Sequence, residues 1–226
     1  NNEGYDEEDR AVMNQELDEE EDLLTTYADT FGQLLKLHGE AFMTEFDHFI
    51  APAFSPYLRP DQPEALQVVA VYLVDDVVEF GGAAAHKYIP SLIPTFMHNA
   101  NSRNDLLRQS SVYGLAKTIL VAPHLVNPQL SPVIACLIDV LNNCAEPDED
   151  EEQDEEEEGR DSEGTFENAV FALGTVGSDL RYRDVVLAMG PGNVEHLVNT
   201  WLPRLPLTTD EATAKLATKQ LCDCVE

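Results

Sequence analysis

Positively charged residues are scarce in this 226-residue chain, which has 13 Lys and Arg against 43 Asp and Glu and a formal net charge of -30. A surface of this sign repels nucleic acid and anionic membranes, so we expect neither as a direct partner. It attracts basic proteins and steers them faster at low salt than at high salt. The charge balance therefore predicts protein partners that are rich in Lys and Arg.

Cysteine is also rare, and long apolar runs are missing. The four Cys residues are too few and too irregularly spaced for a disulfide scaffold, which favours a reducing, intracellular setting. No apolar run approaches the roughly 20 residues that span a bilayer, and the first residues do not resemble a signal peptide. We therefore expect a soluble protein.

Patterns typical of catalytic and metal sites are missing as well. The six His residues are scattered without paired spacing, and Cys222 and Cys224 lack both the CxxC spacing and the second pair of a zinc site. The turn Gly190-Pro191-Gly192 is too short to cradle a phosphate. We expect no catalytic residue, no cofactor and no metal, and a protein that is not an enzyme.

Apolar residues recur at three- and four-residue spacing along almost the whole chain, which predicts an all-α fold. The predicted helices are Leu17–Leu37, Ala41–Tyr57, Pro63–Phe80, Lys87–Ala100, Asn104–Val121, Pro128–Cys144, Phe166–Val176, Asn193–Leu202 and Thr209–Cys224.

The predicted helices repeat. Val71-Tyr72-Leu73-Val74 aligns with Val112-Tyr113-Gly114-Leu115 at a shift of 41 residues, and Val170-Phe171-Ala172-Leu173 restores this shift once an acidic insertion is removed. A period in the low forties built from two helices is typical of HEAT repeats. We expect a right-handed α-α superhelix, a HEAT-repeat solenoid of about four to five repeats over residues 17–226. It has one unpaired second helix followed by four pairs, and it lacks capping repeats, as a segment of a longer protein would.

Two short stretches carry most of the negative charge. Glu3 to Asp22 contains eleven acids and one base, and Glu146 to Glu158 contains eleven acids and no base. We expect residues 1–16 to be poorly ordered, although the acids from Glu16 to Asp22 could simply stabilise a helix N-terminus. Residues 146–163 are predicted to form a disordered loop between the two helices of the third pair, because like charges repel one another.

The acidic loop has two readings, a solubilising spacer or a capture site for Lys/Arg-rich proteins. Its candidate partner-binding residues are Asp148, Glu149, Asp150, Glu151, Glu152, Asp154, Glu155, Glu156, Glu157 and Glu158.

A second candidate site lies on the helix that ends at Phe80. Asp75, Asp76 and Glu79 gather opposite the apolar stripe, since three- and four-residue steps bring them together. Second helices line the concave face of a HEAT stack, so we expect these carboxylates either to face a groove that takes basic segments or to be merely solvated. Trp201, the only Trp, could be a binding hot spot, but its spacing from Leu197 and Leu205 favours core packing.

Specific runs resemble a known family. The run from Val194 to Glu211, which contains Leu205-Pro206-Leu207, is similar to the C-terminal repeats of the importin-β (karyopherin-β) nuclear transport receptors. Asp75–Phe80 and Tyr113–Ala116 resemble second helices of the same region. The resemblance is nearest to the large importins that carry ribosomal proteins and histones, although the acidic insertion is longer than expected there.

This resemblance implies a receptor that binds basic cargo or nucleoporins through its concave face and acidic loop. It further implies shuttling between cytoplasm and nucleus through the nuclear pore, and release by Ran-GTP bound to other repeats of the full-length receptor. Two alternatives stay open, a HEAT scaffold subunit of a phosphatase or chromatin complex, and an acidic histone chaperone.

Overall fold

A computed structural model describes residues 3–143, 156–208 and 210–225 of the chain. These residues contain no β-strand, and the predicted all-α fold is confirmed. In chain order the α-helices are α1 (Glu3–His38), α2 (Met43–Glu45), α3 (Ala51–Phe54), α4 (Glu64–Phe80), α5 (Gly82–Ala85), α6 (Ile89–Asn99), α7 (Asp105–Val121), α8 (Pro123–Val126), α9 (Leu130–Asn143), α10 (Glu156–Ser178), α11 (Arg183–Ala188), α12 (Pro191–Trp201) and α13 (Glu211–Val225).

The long helices form a stack. Helices α1, α4, α7, α10 and α13 lie side by side in chain order, each packed against the next. The helical segment 39–58 packs on α1 and α4, α6 packs on α7, and both α9 and α12 pack on α10. This layered arrangement of first and second helices is the predicted HEAT solenoid, in which each pair buries its apolar face against its neighbours.

The 41-residue shift is visible in the packing. Val71, Val112 and Val170, which the shift makes equivalent, each have 0% of their surface exposed in α4, α7 and α10. Most buried apolar side chains from α4 onward belong to one continuous cluster, and a second cluster joins α1, segment 39–58 and α4. The repeat seen in the sequence is therefore a repeat of core positions.

Side-chain caps fix where two of the second helices begin. Asn104 accepts a hydrogen bond from the Leu107 backbone N–H at 2.9 Å, and Asp210 accepts one from the Thr213 N–H at 2.9 Å. Such caps satisfy backbone donors that have no partner in the first helical turn.

The segment between α1 and α4 differs from the single helix predicted over Ala41–Tyr57. It contains the 3-10 turn Gly39–Phe42, α2, the π-helical turn Phe46–Ile50, α3 and the 3-10 turn Ser55–Leu58. Pro52 and Pro56 explain the interruptions, because proline lacks the N–H that an α-helix requires and its ring crowds the preceding turn.

The acidic stretches also differ from the prediction. Helix α10 begins at Glu156, ten residues before the predicted start at Phe166, so residues 156–163 are helical where a loop was expected. Residues 3–16, expected to be poorly ordered, belong to α1. Glutamate is a good helix former and is stabilised near a helix N-terminus by the macrodipole, which accounts for both extensions. Residues 146–155 of the predicted loop lie outside the described residues.

Three short helices were missed. Helices α5, α8 and α11 have four to six residues and connect one repeat to the next. Their length spans little more than one turn, which is too short for an apolar periodicity to show in the sequence.

One apolar stretch is longer than the sequence analysis recognised. Pro123–Asn143 is long and apolar enough to cross a membrane by length and composition alone, with a mean hydropathy of 1.3. In the structure this stretch is divided into α8, the 3-10 turn Asn127–Gln129 and α9. The α9 side chains Val133 and Leu137 have 0% exposure, so they form part of the core of the third pair.

A buried tyrosine ties neighbouring repeats together. The Tyr182 hydroxyl donates a 2.7 Å hydrogen bond to the Ile119 carbonyl near the end of α7, and Tyr182 has 0% of its surface exposed. The Ile119 carbonyl needs this donor because its partner in an α-helix would be the backbone N–H of residue 123, and Pro123 has no N–H.

We expect Tyr182→Phe to lower the free energy of unfolding by about 1 kcal/mol, because a buried carbonyl loses its donor. Urea denaturation followed by circular dichroism measures this change. Tyr27→Phe, at a half-exposed ring on α1, is the control and should change stability little. Equal stability of Tyr182→Phe and the wild type would contradict the hydrogen bond between Tyr182 and Ile119.

Candidate functional site

The predicted carboxylates on α4 lie between two neighbouring helices. Helix α4 packs on α1 at one side and on α7 at the other, so only its first residue, Glu64, and a narrow strip around Tyr72 stay well exposed. Asp76 and Glu79 are half-buried beside this strip, but Asp75 is only 4% exposed. The expectation that all three carboxylates face an open groove is therefore wrong for Asp75.

Asp75 is buried because Gly114 of α7 leaves room for it. A Cβ placed on Gly114 would overlap Asp75 Oδ1 and would lie 2.6 Å from the Phe96 ring. No donor among the described residues forms a hydrogen bond with Asp75 Oδ1. Burial and then the negative charges of Asp76 and Glu79 raise the pKa of Asp75 well above its usual 3.8, while Lys117 opposes the rise.

Asp76 makes the equivalent contact on the other side of α4. Its carboxylate lies against Gly32 of α1, where a Cβ would overlap it. Burial and the charge of Glu79 raise the pKa of Asp76, and Lys36 of α1 opposes this effect. The adjacent carboxylates of α4 are thus each accommodated by a glycine of a neighbouring second helix.

Glu79 connects α4 to α7 by two hydrogen bonds. It accepts one from the Tyr113 hydroxyl at 2.7 Å and one from Lys117 Nζ at 2.6 Å. Lys117 Nζ also lies 4.9 Å from the centre of the Tyr113 ring, within the range of a cation–π interaction. Burial and the bond to Glu79 raise the pKa of Tyr113, so the hydroxyl stays protonated and donates.

We call Asp75, Asp76, Glu79, Tyr113 and Lys117 the α4–α7 cluster. It joins three carboxyl groups, an aromatic ring and an ammonium group, an arrangement suited to binding a cation. Among the described residues, no group of three or more His, Cys, Asp and Glu side chains has the geometry of a metal site.

Sequence reasoning missed the α7 residues of this cluster, although a signal was present. Lys117 stands 41 residues after Asp76, and Tyr113 stands 41 residues after Tyr72. Equivalent positions of successive repeats are neighbours in a solenoid. Opposite charges at positions 76 and 117 therefore indicated that Lys117 lies against α4, where its observed partner is Glu79.

Most candidate residues of the acidic loop lie outside the described residues. Asp148, Glu149, Asp150, Glu151, Glu152, Asp154 and Glu155 are not among the described residues. Glu156, Glu157 and Glu158 form the first turn of α10. These three are the only candidate residues of the acidic loop that belong to the described part of the chain.

Trp201 is a core residue, as its spacing predicted. It is 2% exposed at the end of α12, and its indole lies against Gly174 of α10, where a Cβ would be 2.6 Å from Nε1. The hot-spot alternative for Trp201 would require an accessible ring, which the packing does not provide.

Two clefts lie apart from the α4–α7 cluster. One, of about 490 Å³, is lined by apolar residues of α1 and segment 39–58, including Tyr27, Phe31 and Phe54. The other, of about 810 Å³, lies at the turns between first and second helices and is lined mostly by polar residues. Neither contains a residue of the cluster.

Comparison with known proteins gives a family-model match to part of the chain and a solved structure of similar fold. Residues 1–60 match the family model of importin repeat 6. The fold matches the karyopherin Kap121p, solved bound to the SUMO protease Ulp1p, with a TM-score of 0.66 and 20% identity over 89% of this chain. The chain spans only 17% of the length of that karyopherin. An importin repeat model thus matches the first part of the chain, and the HEAT-like stack along most of its length is similar to the fold of a karyopherin.

Proposed function

We propose that the chain is part of a nuclear transport receptor and binds basic protein cargo, namely ribosomal proteins or histones. The observation that carries this proposal is the importin repeat match at residues 1–60. The net charge of -30 supports basic partners, because a field of this strength draws cationic proteins and repels anionic ones.

The second-helix face and the acidic stretch are the two proposed contact regions. Glu79 and Lys117 lie where α4 and α7 meet, and Asp76 lies where α4 meets α1. Each of the three is partly exposed. The acidic residues 148–158 lie in the connection from α9 to α10 and at the start of α10. Basic segments that follow the stack would meet negative charge at both.

The rest of the transport cycle belongs to the same proposal. The receptor docks to nucleoporins, moves between cytoplasm and nucleus, and releases cargo when Ran-GTP binds to repeats other than these. A protein partner is consistent with the karyopherin Kap121p, whose structure was solved with the SUMO protease Ulp1p bound.

Removing the acidic stretch tests the charge component. We expect replacement of Asp148–Glu158 by a neutral Gly/Ser segment of equal length to weaken binding of core histones about tenfold. The neutral segment lacks the negative charge that attracts these cationic proteins. Fluorescence anisotropy with labelled histones measures the change. A shuffled order of the same residues keeps the charge and should keep the affinity. If the neutral variant bound histones as tightly as the wild type, the acidic stretch would be a spacer and not a binding site.

Ran-GTP separates transport from the alternatives. For a receptor that contains residues 1–226, we expect Ran-GTP, but not Ran-GDP, to displace bound histone. A scaffold subunit would hold its partner with either nucleotide. A histone chaperone would retain binding in a peptide that consists of the acidic stretch alone.

A further inference from the structure

Lys117 occupies a ready-made site for an ammonium group. Its Nζ donates to Glu79 Oε1 at 2.6 Å and lies over the Tyr113 ring. The Tyr113 hydroxyl holds the second oxygen of Glu79 at 2.7 Å, so the carboxylate is fixed in place from both sides. Carboxylate and aromatic faces together are the groups that recognise lysine-like cations.

The site has more carboxyl groups than Lys117 can pair with. Asp75 lies behind Gly114, one turn from Lys117 on α7, and its Oδ1 is buried with no hydrogen bond from any described residue. Asp76 lies beside them on the α1 side of α4, where Lys36 of α1 provides the other nearby positive charge and Asp29 of α1 adds another carboxylate. Four carboxyl groups therefore face two ammonium groups.

We propose that the α4–α7 cluster binds a lysine side chain of a basic partner, and that Lys117 occupies this site in the free protein. The proposal rests on the proposed function, because it assumes a partner rich in lysine. Lys117 acts as an internal competitor. A partner's ammonium group takes its place beside Glu79 and Tyr113, and the long Lys117 side chain turns outward to solvent.

The geometry allows this exchange. The Lys117 side chain is 21% exposed and that of Glu79 is 26% exposed, so an incoming lysine can reach the carboxylate from the second-helix face. Lys117 has a flexible four-carbon stem, which lets it leave without moving the backbone. The ion pair it gives up is worth little when partly solvated, so replacement by an equivalent pair costs little.

The test removes the internal competitor. Its probe is a fluorescein-labelled peptide of alternating Lys and Ser, and fluorescence anisotropy gives the affinity. We expect Lys117→Met, which keeps the apolar stem, to bind the peptide about fivefold more tightly than the wild type, a change of about 1 kcal/mol. Lys117→Arg keeps the competitor and should bind like the wild type.

Two controls isolate the site from the general charge. Lys215→Met removes an exposed lysine that pairs with Glu211 on α13, and it should raise affinity less than about twofold. Adding Glu79→Gln to Lys117→Met should abolish the gain, and a peptide with acetylated lysines should show none. Urea unfolding of each variant confirms that it is folded.

The outcomes separate the two proposals. A gain for Lys117→Met that depends on Glu79 supports the lysine site. If Lys117→Met binds no more tightly than Lys215→Met, or if the gain survives Glu79→Gln, the lysine site is refuted while the proposed function stands. If neither the wild type nor any variant binds the peptide, the proposed function fails together with the site.

Discussion

Gly114→Ala is expected to lower the free energy of unfolding by about 2 kcal/mol. The added methyl group would overlap Asp75 Oδ1 and come within 2.6 Å of Phe96 Cζ, in a ring with 0% exposure. Overpacking of this kind forces side chains off their rotamers or displaces the backbone. Alanine's better helix propensity offsets only part of this cost.

The matched control lies in another second helix. Gly177 of α10 would place a Cβ 3.4 Å from Leu197 Cδ2, at the edge of ordinary contact. Gly177→Ala should therefore leave stability unchanged or raise it by up to about 1 kcal/mol. Chemical denaturation of both variants gives the comparison. If Gly114→Ala proved as stable as Gly177→Ala, the close approach of α4 and α7 would be refuted.

Asp75→Asn is expected to change how stability depends on pH. The folded pKa of Asp75 is raised, so its contribution to stability is complete below the usual value of 3.8. That contribution declines as pH rises and is lost above the folded pKa. Asparagine carries no charge, so the variant avoids this decline. The free energy of unfolding of the variant should thus rise relative to that of the wild type as pH increases. The difference should reach about 2 kcal/mol at mildly alkaline pH, the scale of an unsatisfied buried group.

Burial sets the direction of this effect, and the charged groups that face Asp75 modify its size. Asp76 and Glu79 on α4 oppose its ionisation, and Lys117 on α7 favours it. Urea denaturation from pH 4 to pH 9 gives the difference between variant and wild type at each pH. Asp184→Asn, at an exposed carboxyl on α11, should show a difference that is flat with pH. A flat difference for Asp75→Asn as well would mean that Asp75 is not buried.

The stacked architecture could be predicted because it depends on repeated local pattern. Val71, Val112 and Val170 recur at one shift, and a recurring apolar position in a helix pair can be buried only against the neighbouring pair. The short helix α8 could not be predicted, because four residues carry no periodicity.

The candidate site was predicted in part. Helical spacing put Asp75, Asp76 and Glu79 together, and the structure shows them together on α4. Spacing within one helix does not reveal how closely its neighbours approach. The burial of Asp75 depends on the missing side chain of Gly114 in the following repeat, a contact between residues 39 positions apart.

The central claim is that basic proteins bind along the second-helix face. Hydrogen–deuterium exchange with and without saturating core histone tests it most directly, since bound partners slow local opening. We predict slower exchange in α4 and α7, and no change in α6 or α9. Slower exchange confined to α6 and α9, or no change anywhere in the chain, would contradict the account.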